Sequence, residues 1–185
     1  MLLQKLSFLI VSFYPLVCLK LTDRNLGLSI SFVSSLEYMK TILNKENRAE
    51  ILNRISSLNE NNEPLWGKMN VYQMLKHCVL AEEMYLGKTR YKRTFLGLLL
   101  GKMMLKKMLK DGPMEKNAPT SAHFVIRETE GVADTEKQNW ISLIKEYEFL
   151  PDDNLNHWFF GKMTKEQIGY FVYKHADHHL RQFNN

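Results

Sequence analysis

Apolar residues recur at helical spacing in four stretches of the chain, each bounded by residues that start or stop helices. In the first, Ile51, Leu52, Ile55 and Leu58 share a face behind Asn47, read as an N-cap with Glu50 at the third helical position. The stretch ends before Asn59-Glu60-Asn61-Asn62 and Pro64. The second begins at Asn70 with Gln73 as its capping-box partner, and Met69 and Met74 form a hydrophobic staple. It is predicted to run to about Leu86, with Gly87 as the stop. The third begins near Asp134 and carries Trp140, Leu143, Ile144 and Tyr147, with Pro151 just beyond. The fourth begins at Thr164, with Gln167 completing a capping box and Met163 and Ile168 a staple, and runs to Phe183.

The second and fourth starts read alike, Trp66-Gly67-Lys68-Met69-Asn70 and Phe160-Gly161-Lys162-Met163-Thr164. Five positions are better explained by shared capping chemistry than by an internal repeat. The connection from Lys88 to Ala133 is long. Its apolar-basic stretch from Phe95 to Leu109 predicts an extra helix, and Ser121 to Ile126 reads as extended. No strand pattern is strong enough to build a sheet. The fold class is therefore all-α: a four-helix bundle with a long, elaborated crossover between its second and third helices, which need not be antiparallel neighbours.

At 185 residues, 45% hydrophobic and 24% charged, the chain fits one domain able to bury its own core. Cys18 and Cys78 make no disulfide framework, which favours a reducing, cytoplasmic setting. Residues 1–38 are expected to be an extension outside the domain of residues 39–185. Leu6 to Leu19 is apolar and follows Lys5, like the core of a signal peptide, but it is too short to span a bilayer comfortably. No small-x-small cleavage site follows it. A natural start at Met39 is the favoured expectation; export or membrane anchoring is the alternative if residues 1–20 act as a signal.

The net charge of +5 is unevenly spread. Eight lysines and arginines lie between Lys88 and Lys110, with no acidic residue among them. Such a segment can attract an acidic substrate, an anionic membrane or nucleic acid. The favoured expectation is a solvated face of a helical insertion, with no membrane partner for residues 39–185. No stacking aromatics are interleaved in a nucleic-acid pattern, so that partner is not expected either.

Placement makes the histidines informative. At about 100° per residue, Ile168, Val172, His175, His179 and Gln182 fall on one stripe of the fourth helix, while Asp177 and Arg181 point away from it. Imidazoles four residues apart on one face chelate a single cation. The second helix places His77 on the inward stripe of Met74, Cys78, Ala81 and Met84. Three neutral imidazoles from facing helices are a usual protein set for a catalytic metal that keeps an open position. Zinc or nickel is the first expectation, with iron or manganese also compatible. His178 sits at the edge of the stripe and competes with His179, which lies nearer its centre. Gln182 is expected to orient a ligating ring from behind, and His178 is the other neighbour expected to support the ligands. Cys78 is expected to be a small buried hydrophobe, and His123 and His157 are given no role. The chain has no Gly-rich phosphate loop, GxSxG or HExxH, and no Glu precedes His175, His178 or His179 by three residues as a di-iron site would require.

The residues from Trp66 to His77, the string Phe159-Phe160-Gly161-Lys162-Met163-Thr164, and the run from Tyr173 to Phe183 with its HxxxHxxQ pattern together resemble the DinB/YfiT-like superfamily. Within it, the chain is most similar to a member family of unknown function. The likeness covers roughly Thr41 to Phe183. It implies an up-down-down-up four-helix bundle with His77, His175 and His179 as metal ligands. It also implies a metal-dependent enzyme acting with a low-molecular-weight thiol, as a thiol-dependent S-transferase or isomerase on a small-molecule substrate; a homodimer is compatible with it. A metal-dependent hydrolase and a non-enzymatic, metal-stabilised, stress-related bundle are the alternatives. The sequence departs from the resemblance at His157-Trp158, where that family often has His-Pro.

Overall fold

A computed structural model describes residues 39–118, 120–151 and 155–185. The expectations for residues 1–38, Cys18 included, fall outside the described residues. The first helix, α1 (Lys45–Ser57), is capped by Asn44, whose side chain accepts from the Asn47 N–H at 2.9 Å. This is a correction to the expected cap at Asn47. The Asn47 amide instead donates to the Thr41 carbonyl, so the helix gains most of a turn. Helix α2 (Val71–Tyr85) starts in the capping box of Asn70 and Gln73, as read from the sequence.

In the crossover, α3 (Phe95–Met108) is the extra helix, capped by Thr94. The segment from Ser121 to Ile126 is extended at Ser121 and Val125 but not between them. Ser121 caps a single 3₁₀ turn, Ala122–Phe124, which leaves the Phe124 side chain buried. Helix α4 (Ala133–Glu146) lacks a side-chain cap, ends in a second 3₁₀ turn over Tyr147–Phe149, and stops before Pro151.

Two short strands follow, β1 (Leu155–His157) and β2 (Gly161–Met163), which pair antiparallel with Leu155 opposite Met163. The sequence predicted no sheet here, because three residues per strand are too few for an alternating pattern to stand out. Helix α5 (Lys165–Gln182) opens in the capping box of Thr164 and Gln167. Gly67 and Gly161, in the two similar pentapeptides, both adopt left-handed backbone, at φ +84° and +76°. The shared string therefore encodes a shared helix-entry turn.

Helices α1 and α2 each pack against both α4 and α5. Ile51, Ile55, Met74, Trp140, Ile144 and Val172 are completely buried between them. The fold is all-α, with the β1–β2 hairpin against α2 and α3. Two backbone hydrogen bonds tie the chain before α1 and the loop before α2 to α5: Ile42 N–H to the Gly169 carbonyl, and Leu65 N–H to the Gln182 carbonyl. Among the described residues, no helix is long and apolar enough to cross a membrane.

Candidate metal centre

The inward stripes of α2 and α5 meet at three imidazoles. His77, His175 and His179 are all buried, and each offers a ring nitrogen within 4.8 Å of the others. Ring centroids stand 4.9 Å apart for His77 and His179, 4.7 Å for His175 and His179, and 5.5 Å for His77 and His175. The spacing of four residues on α5 and the facing position on α2 thus bring all three onto one point of the core, close enough to hold a metal ion.

Hydrogen bonds fix how two of these rings present themselves. The Phe124 carbonyl can only accept, so the His77 contact at 2.8 Å means that Nδ1 carries the proton. Nε2 of His77 is then bare. On α5, the Gln182 amide nitrogen donates to the Trp66 carbonyl at 2.8 Å, which turns its oxygen towards His179. The Nδ1–H of His179 donates to that oxygen at 2.9 Å, leaving Nε2 of His179 bare as well. The third ring differs: Nδ1 of His175 is buried with no hydrogen-bond partner. A polar nitrogen in a dry core is costly without a partner.

Gly67 makes this support possible. A Cβ there would lie 2.6 Å from the Gln182 amide nitrogen, and the left-handed backbone at Gly67 is one that a side chain would strain. The Phe124 carbonyl and the Trp66–Gly67 turn are backbone features, which no side-chain pattern in the sequence announces.

All three rings are held neutral. Burial pushes His179 down to about 3, with the nearby His77 acting the same way and the Gln182 contact opposing it. Burial lowers His175 well below the ordinary histidine value, reinforced by His179 and His77. Burial also lowers His77, against the pull of its bond to Phe124. Neutral imidazole is the form that binds metal.

The neighbouring chemistry is sorted by the same geometry. His178 is not among the converging rings; its ring meets those of Trp66 and His179 edge-on, at 5.6 and 5.1 Å. Cys78 is fully buried beside Met74, and burial pushes its thiol up, so it is a small hydrophobe. His123 lies outside the cluster, with its ring near that of Tyr91. His157, given no role from sequence, is buried at the end of β1. Its Nδ1 accepts from the backbone N–H groups of Phe159 and Phe160 at 3.0 and 3.1 Å, so it shapes the hairpin turn. Burial holds it at about 3.

Glu82 and Glu83 are adjacent, so only one of them can face inward, and it is Glu82. It is completely buried and accepts from the Tyr147 hydroxyl. Its position four residues after Cys78, on the same inward stripe, was the available signal. Burial pushes Glu82 up to about 8, with Tyr147 and the Trp140 indole pulling the other way. A surface cleft of about 560 Å³ lies elsewhere, lined by Pro64, Met69, Tyr72 and Gly131 among others, and includes none of the three histidines.

Comparison with known proteins gives one match. A family model described as "Protein of unknown function (DUF1569)" matches residues 39–185. No curated protein matches, and no solved structure matches.

Proposed function

The chain belongs to the DUF1569 family, related to the DinB/YfiT-like superfamily, and from that premise we propose that it is a metal-dependent enzyme acting with a low-molecular-weight thiol. The reaction is S-transfer or isomerisation of a small electrophile. The observation that carries the metal is the convergence of ring nitrogens from His77, His175 and His179, with the rings of His77 and His179 held by bonds behind. Zinc or nickel suits three imidazoles best, and the resemblance implies an up-down-down-up course for the bundle that holds them.

Bound there, the ion supplies a Lewis-acidic position that favours the thiolate form of a thiol. The chain's own residues prepare that position. Phe124 and Gln182 hold His77 and His179 in one tautomer and one orientation. The rings of Tyr85 and Phe171 lie against His175 and exclude water from that side. The three histidines are all buried. Hydrolysis is the weaker reading, because the converging group contains three imidazoles and no carboxylate to act as a base.

The test is an assay of metal-loaded protein with a small thiol and a model electrophile. Thiol consumption by the wild type should exceed that of His179→Ala by about a hundredfold or more, the upper range for loss of a supporting partner alone. Equal rates for the two proteins would sink the proposal.

A further inference from the structure

Helix α3 faces the wrong way for its composition. Phe95, Leu96, Leu98, Leu99 and Met103 are 76%, 56%, 58%, 66% and 62% exposed. The positions it buries are Gly97, Gly101 and Leu105. The two glycines account for this orientation. A Cβ on Gly97 would stand 2.6 Å from the Phe159 carbonyl oxygen, and one on Gly101 would stand 2.2 Å from it. The α3 backbone therefore rests directly on the turn between β1 and β2. Rotating the helix to bury its leucines would put side chains into that seat. At the far end, the Lys174 ammonium of α5 donates to the carbonyls of Met108 and Lys110 at 2.8 and 2.7 Å, capping α3 and pinning it. The apolar ridge is thus held outwards at both ends.

Cations flank this ridge. Arg90 and Lys92 precede it and Lys106 and Lys110 follow it, all exposed, and residues 88–110 contain no acidic group. A second copy of the chain apposed through the same face would bring these cations against their equivalents, with no carboxylate in the segment to separate them. A basic helix with an exposed apolar face suits an anionic lipid surface, where apolar side chains enter the acyl boundary and cations meet headgroup phosphates.

We infer that α3 is an interfacial anchor that docks the chain on an anionic membrane surface. Its ridge lies in the plane of the membrane, since the helix does not span it. This departs from the expected solvated face: the exposed side of the insertion is apolar along its first half and basic along its second.

The experiment is vesicle flotation of the full chain with phosphatidylglycerol-containing and with purely phosphatidylcholine vesicles. It compares wild type with Leu98→Glu/Leu99→Glu and with Lys106→Glu/Lys110→Glu. These positions are exposed, so unchanged circular dichroism melts confirm that the variants fold, and both variants keep residues 1–38. Wild type should bind the anionic vesicles about tenfold or more above the neutral ones. Each variant should lose that preference by a similar factor. Equal partitioning of wild type and the leucine variant overturns the inference, as does the absence of wild-type binding. So does a vesicle-free, concentration-dependent self-association that the leucine variant abolishes, because the ridge then belongs to a second copy.

Discussion

Helix α2 carries two buried polar groups little more than a turn apart, and they meet the cost of burial in opposite ways. Glu82 meets it by holding a proton: Tyr147 donates to one carboxyl oxygen, the other has no partner, and burial raises its pKa to about 8, so it stays neutral at neutral pH. His77 joins two other imidazoles that burial holds neutral, and the cluster is not internally satisfied. Its outer nitrogens donate backwards to Phe124 and Gln182, while its inner ones face one another. Acceptors facing acceptors repel unless a cation lies between them. Both groups are buried and held neutral, but only the three histidines bring ring nitrogens close enough together to hold a metal ion.

The largest test of this contrast is pH. Glu82 has a folded pKa raised from the ordinary 4.5 to about 8, so its contribution to stability is complete below about 4.5 and is lost as pH rises through about 8. The wild type should lose up to about 1.4 kcal/mol of stability per pH unit as pH rises through that window, through this group. Glu82→Gln should flatten that part of the profile in denaturant titrations. An unchanged profile would mean that Glu82 ionises normally and that the two clusters are not opposites.

Next in size is Tyr147→Phe, which removes the hydroxyl and leaves the Glu82 carboxyl without its donor. It should cost about 1–3 kcal/mol of stability while leaving metal affinity unaltered. A matching loss of metal affinity would show that the two regions are coupled.

Gln182→Leu makes the converse separation. It removes the acceptor behind His179 and should lower metal affinity about 10–100-fold with a smaller change in apo-protein stability. Isothermal titration and thermal melts read the two quantities separately. Full affinity in this variant would reduce Gln182 to a helix-end polar residue.

The parts of this arrangement that sequence revealed are those carried by side-chain period and capping. His175, His179 and Gln182 share a stripe of α5 because 3.6-residue periodicity puts them there, and the capping boxes at Asn70 and Thr164 mark both site-bearing helices. The remainder is backbone or lacks a period. The Phe124 carbonyl reaches His77 through a single 3₁₀ turn, and the Trp66 carbonyl orients Gln182 through a left-handed glycine. His157 sits in a three-residue strand too short to show alternation. Helix α3 was legible as a helix, but Leu98-Leu99-Leu100 gives no polar side from which to tell its buried face; two glycines on Phe159 decide it.

The proposed site holds one ion between three imidazoles. Elemental analysis of purified protein, supplied with zinc or with nickel and then desalted, tests this directly beside a His77→Ala variant. About one ion per wild-type chain is expected, and far less in the variant. A wild type with no bound metal after either supplement, or a variant that retains as much as the wild type, would contradict it.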